Sequence, residues 1–235
     1  VGSIALSASK VAGGTLLSSL SGTSNNFVVR PYTLFLSGIK CTTASADYCG
    51  AGALALGPPK TPGDNPGATT AASSLTFIRA GHPFSVTVTA QAEGGSATPN
   101  FGKETVPEWV KLAPALHTGL GLTANPSIDR TTTGGINAGS STLTVADSVG
   151  YATADRIRVA GAGAAGADLV TTVAAVPSAT SITLSAPAAT TVVGAEVNYM
   201  FPAFSGGSAT GSNFTWDEVG ILTLTPAIGD GNYLG

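Results

Sequence analysis

The residues best able to do chemistry in this chain are a glycine cluster, two histidines and a few acids, and their spacing tests which reactions they suit. Residues 161–166 read Gly-Ala-Gly-Ala-Ala-Gly, the turn that cradles a dinucleotide pyrophosphate, and they follow a strand-like run from Arg156 to Ala160. That chemistry needs a helix opening directly after the glycines and an acid about twenty positions further on. Here the following segment is rich in β-branched residues (Val170, Thr171, Thr172, Val173), and after Asp168 the next acid is Glu196. The glycines read as a hairpin loop, and no cofactor is expected.

His82 and His117 are the only imidazoles. His82 precedes Pro83 at the start of a strand, and His117 has no acid within several residues, so neither shows the pairing of a base with its orienting partner. No Gly-x-Ser-x-Gly elbow and no His-x-x-x-His spacing occurs. No catalytic residue and no metal ligand is assigned, and the chain is expected not to be an enzyme. Asp217 with Glu218, and Asp230-Gly231-Asn232, offer oxygen atoms to calcium without the dense alternating carboxylates of a dedicated loop. The competing reading gives Glu218 a hydrogen-bonding role beside Trp216 and Asp230 an Asx turn. Trp109, Trp216, Phe35 and Phe84 have faces that stack on sugar rings, but in a chain poor in large side chains each is expected in the core.

Cys41 and Cys49 are the only cysteines, and the seven mostly polar residues between them include no histidine that would complete a zinc site. A local disulfide is expected, contributing on the order of 2–3 kcal/mol and persisting only outside a reducing cytosol. Asn213-Phe214-Thr215 matches the glycosylation acceptor pattern.

These groups sit in a chain of 235 residues in which Ala, Gly, Thr and Ser account for 122 and charged residues for only 10%. With 37 of the apolar residues being alanine, any core is thin, and the composition favours β structure with tight turns. Ten basic residues against thirteen acidic ones give a net charge of −3, and no cluster neutralises a run of phosphates, so nucleic acid is not expected as a partner. No stretch reaches the roughly 18 apolar residues of a membrane helix, and Val1 opens no charged-then-apolar leader, so the chain reads as a mature product or an excised piece.

Strand signals dominate. Residues 84–90 alternate Phe84, Val86, Val88 and Ala90 against Ser85, Thr87 and Thr89, the pattern of a strand with one apolar and one hydroxylated face. Similar runs at 2–9, 28–38, 74–80 and 219–228 predict an Ig-like antiparallel β-sandwich, and the four prolines between Gly57 and Gly67 predict a surface loop. Between about 124 and 200 the sequence loses Trp, Phe and Cys and gains short β-branched runs. The expected organisation is a host sandwich over 1–123 and 201–235, with an N-terminal arm at 1–24, and an inserted small all-β module over 124–200. Residues 141–146 and 181–186 look alike, through duplication or through the shared grammar of hairpins.

Three blocks, at 25–38, 80–102 and 214–235, resemble in order and internal spacing the domain of unknown function in MshQ-like proteins of mannose-sensitive haemagglutinin type IV pilus clusters. The second carries the Thr-Pro-Asn-Phe-Gly turn of residues 98–102, and the third runs from Trp216 through Glu218-Val219-Gly220 to Tyr233-Leu234-Gly235. The segment from 124 to 200 resembles small β modules of phage tail and secreted repeat proteins. The resemblance implies a pilus-associated place outside a Gram-negative cell and supplies no catalytic residues.

The function expected from all this is a non-catalytic structural or adhesive module at the cell surface, partnered by further copies or by other pilus and surface proteins. Outward hydroxyls let sheets associate without burying unpaired charge. The arm at 1–24 offers a strand that could complete a sheet in the next subunit, giving a head-to-tail filament. Two other readings stand beside it. One is an adhesin tip whose loops bind a glycan receptor. The other is a surface glycan hydrolase, which needs two carboxylates about 5–10 Å apart.

Overall fold

A computed structural model describes residues 2–4, 7–10, 20–24, 27–41, 78, 80–104, 106–116, 126–217 and 222–233. Cys49, the loop at 57–67, His117, Glu218 and most of the run at 74–80 lie outside them; Cys41 is described in its backbone as the last residue of a strand.

The chain is all-β and antiparallel. Strands β1 (Gly2–Ile4) and β2 (Ser7–Lys10) pair with β4 (Phe27–Val29) and β3 (Leu20–Thr23), so residues 1–24 hold more than one strand and a linker. Ser21 and Gly22 lie in β3, and the arm is hydrogen-bonded within its own chain. The run at 28–38 is likewise interrupted. Pro31 has no N–H to give a ladder, and regular pairing resumes only with β5 (Thr33–Cys41).

Strand β6 (Phe84–Gln91) is the middle of a three-stranded sheet, flanked by β5 and by β14 (Ser208–Phe214). Its predicted alternation is present residue by residue, with Phe84, Val86, Val88 and Ala90 buried and the residues between them half-buried. A two-stranded ribbon joins β7 (Val110–Leu116) to β15 (Leu222–Ile228). Pro114 faces Leu224 and Pro226 faces Leu112 in this ribbon. A proline cannot donate, so both pairs must be of the non-hydrogen-bonded kind, with the ring nitrogens pointing to the outer edges. Each edge is thereby blocked at one point against a further strand.

After β7 the chain makes one helical turn, α1 (Pro126–Asp129), and enters a closed six-stranded barrel. Its strands are β8 (Thr131–Ile136), β9 (Thr142–Val145), β10 (Arg156–Val159), β11 (Leu169–Ser178), β12 (Ser181–Leu184) and β13 (Val192–Met200). The order around the barrel is β10-β11-β12-β9-β8-β13. Exchanging β8, β9 and β10 with β11, β12 and β13 returns the same cycle, so the barrel has an approximate two-fold arrangement. The two similar segments noted in the sequence contain β9 and β12, which are direct neighbours, with Ile182 opposite Leu143 and both side chains fully buried. Alternate residues of β9, β10 and β12 fill the interior. β8 needs Gly134 there, because a Cβ would lie 2.7 Å from the Thr144 carbonyl oxygen.

Candidate functional site

The barrel meets the sheet β14-β6-β5 at Arg130, the residue between α1 and β8. Its backbone is left-handed (φ 46°), and its side chain is fully buried. One guanidinium nitrogen donates to Asp155 Oδ2 at 3.3 Å and another to the Ser212 carbonyl on β14 at 2.5 Å. The guanidinium carbon lies 4.3 Å from the Tyr199 ring centroid and 4.4 Å from that of Phe214. The Arg130 carbonyl accepts from Tyr151 Oη and from the Tyr199 backbone N–H. Burial pulls the Arg130 pKa down, and the Asp155 carboxylate opposes this. Burial raises the Asp155 pKa against the pull of Arg130, and it pushes the Tyr199 phenol up to about 12. The cation is enclosed by rings, a carboxylate and a carbonyl, and it fastens barrel to sheet.

Beside this clamp lies a surface depression of about 340 Å³. The barrel contributes Thr153, Ala154, Asp155, Arg156 and Thr172 to it. Tyr199 of β13, Pro202 and Ala203 of the connection that follows it, and Ser212 and Asn213 of β14 complete it. Two non-glycine residues on this rim have left-handed backbone, Ala154 (φ 73°) and Asn213 (φ 63°). Such conformations cost energy and tend to collect where a surface is shaped for contact. Asn213 is the exposed residue of the irregular step between Gly211 and Phe214 in the β14–β6 ladder. Arg156 is half-buried and has no ion pair or hydrogen bond from its side chain among the described residues, and desolvation alone lowers its pKa. Its neighbour two residues on is fully engaged. Arg158 pairs with Asp168 at 2.6 Å and Glu196 at 3.2 Å, donates to Asn198 and lies over the Trp109 ring.

A second surface is the outer face of β14-β6-β5. Cross-strand register lines up Ser208, Thr89 and Phe35 in one row and Thr210, Thr87 and Ser37 in the next. The Thr89 and Ser208 hydroxyls are 2.8 Å apart, as are those of Thr87 and Thr210. Phe84, Trp109 and Trp216 are buried as expected, but Phe35 is 50% exposed. Strand parity is the reason: Leu34 and Leu36 take the inner side of β5, which turns Phe35 outward.

The other residues singled out in the sequence fall as follows. The glycine cluster holds a short 3-10 turn at Ala164–Gly166 and leads into strand β11, so the helix that a dinucleotide turn requires is replaced by a strand. Asp230 Oδ1 accepts from the Asn232 N–H at 2.8 Å, the Asx turn, and Asp217 is exposed. His82 is half-buried at the start of β6. Among the described residues no three His, Cys, Asp or Glu side chains cluster. No helix of the described residues is long and apolar enough to cross a membrane. Sequence reasoning missed Arg130 and Arg156. The signal for the region was the run Asp155-Arg156-Ile157-Arg158, dense in charge for a chain with so little.

Residues 52–154 match the family model described as DUF6701, second domain, which is under half of the chain. The matched stretch runs from strands β6 and β7 into the barrel strands β8 and β9. No curated protein matches the sequence. Among solved structures, the Phage phi92 endosialidase is similar at 15% identity and a TM-score of 0.21, over 65% of this chain and 17% of that one. This chain therefore spans less than a fifth of that protein's length.

Proposed function

We propose that this chain is a non-catalytic structural or adhesive β module of a pilus-associated or fibre-forming protein outside a bacterial cell. Its contact surface to further copies is the outer face of β14-β6-β5. The observation that carries the reading is the pair of uncharged rows, Ser208–Thr89–Phe35 and Thr210–Thr87–Ser37, with Phe35 projecting from a field of mutually bonded hydroxyls. Two such faces can meet without desolvating a charge, and Phe35 supplies apolar area to bury. The MshQ-like blocks and the cysteine pair support the placement outside the cell. Because residues 2–4 are already paired with 27–29 and residues 7–10 with 20–23, strand donation by the arm would first require opening those pairings. The sheet face needs no such step.

Sedimentation velocity over a rising concentration series tests the reading. Association that Phe35→Asp abolishes is expected. A chain that stays monomeric at its highest soluble concentration, or associates equally with Asp at position 35, overturns it.

A further inference from the structure

We infer that the depression between barrel and sheet binds a carboxylate-bearing sugar, one acidic residue of a glycan chain, through Arg156. Among the described residues, the charges around it leave a single cation uncompensated. Asp155 is neutralised by Arg130, while Arg158 is occupied by Asp168 and Glu196. Arg156 lines the depression half-buried and without a counter-ion among the described residues. A guanidinium desolvated in this way is stabilised by an anion that meets its planar fork with two parallel hydrogen bonds, the geometry of a carboxylate. One free positive charge beside the Asp155 carboxylate suits a monoanion better than a doubly charged phosphate.

The rest of the lining selects among monoanions. Thr153 and the Asn213 amide present donors and acceptors of the kind that pair with ring hydroxyls, and the Thr172 hydroxyl, which donates to Ser185 Oγ at 2.8 Å, adds an acceptor. Pro202 and Ala203 present an apolar wall for the C–H face of a sugar. The volume of about 340 Å³ is at the small end for ligand sites, enough for one or two sugar rings and excessive for a bare ion. A peptide C-terminus would find no deep apolar pocket for a side chain here. This site borders the association face on β14 but shares no residue with its two rows, so a monomeric protein that binds acidic sugar would overturn the reading above and leave this one standing.

Calorimetry and amide chemical shifts on the intact chain, titrated with trigalacturonate, test the assignment. Shifts at Arg156, Ser212 and Asn213 are expected, with affinity falling as salt is raised. Arg156→Gln is expected to weaken binding at least tenfold with unfolding unchanged, and Arg156→Lys to retain part of it. Thr153→Glu, which sets a carboxylate at the exposed rim and leaves Arg156 in place, is expected to abolish binding as well. Three comparison titrations use neutral maltotriose, sodium acetate and an acetylated tripeptide with a free carboxylate. Equal binding of maltotriose, equal binding of acetate as an adventitious ion only, equal binding of the tripeptide, or undiminished binding by Arg156→Gln would each overturn it.

Discussion

Arg130 and Ser212 stand 82 positions apart in sequence, yet the guanidinium of one donates to the carbonyl of the other at 2.5 Å. Through that bond the first residue before the barrel grips the strand that follows it, and Asp155 and the Tyr199 and Phe214 rings complete the enclosure. Removing one partner of a buried pair leaves the other charge uncompensated. Arg130→Met is expected to cost about 3–5 kcal/mol in urea unfolding. Adding Asp155→Asn to it is expected to recover part of the loss, so the two effects will not sum. Additive losses would mean the two residues do not act as a pair.

The barrel interior gives a second expectation. Ile182 and Leu143 face each other across β12 and β9 with no exposed surface. Ile182→Ala is expected to cost about 2–5 kcal/mol, as deletions in closed cores do. Thr144→Ala, on the exposed side of β9, is expected to stay within about 0.5 kcal/mol. Thermal and urea unfolding of both variants check the contrast.

Gly229 lies so close to the Trp109 indole that a Cβ would fall 2.0 Å from its Cε2 atom. The ring must move in Gly229→Ala, losing its seat beneath Arg158 and beside the core. An overpacking cost of about 1–3 kcal/mol and a red-shifted Trp109 emission are expected. Reading the spectrum in a Trp216→Phe background isolates the ring, and an unshifted spectrum would contradict the contact.

Alkaline pH should weaken the fold through Tyr199. Burial raises its phenol from the ordinary value near 10 to about 12, and Arg130 only partly opposes this. Tyr151 is moved in the same direction by burial. An unfolded chain then releases the proton before the folded one does. The stability held by the neutral phenols is full below pH 10 and is lost as pH rises from 10 through 12. The denaturation midpoint is expected to fall across that window, with tyrosinate absorbance in the folded protein lagging behind that in denaturant.

The sequence by itself determined the β class, the apolar and hydroxylated faces of β6, the loop nature of the glycine cluster and the change in composition at the barrel. All of these are local: alternation, β-branching and proline act within a few residues, so they are legible in order. Strand β7 was not legible, because Val110–Leu116 contains a proline and three alanines or lysines and becomes a strand through pairing with β15, more than a hundred residues away. The approximate two-fold of the barrel was visible only as two similar hexads until their strands were seen side by side. The outward turn of Phe35 depended on which neighbours took the inner face. The site itself was decided entirely by tertiary structure. Arg130, Arg156 and Arg158 are the same residue type within one short stretch, and only the surrounding fold determines which is enclosed, which is paired and which is left with its charge unanswered.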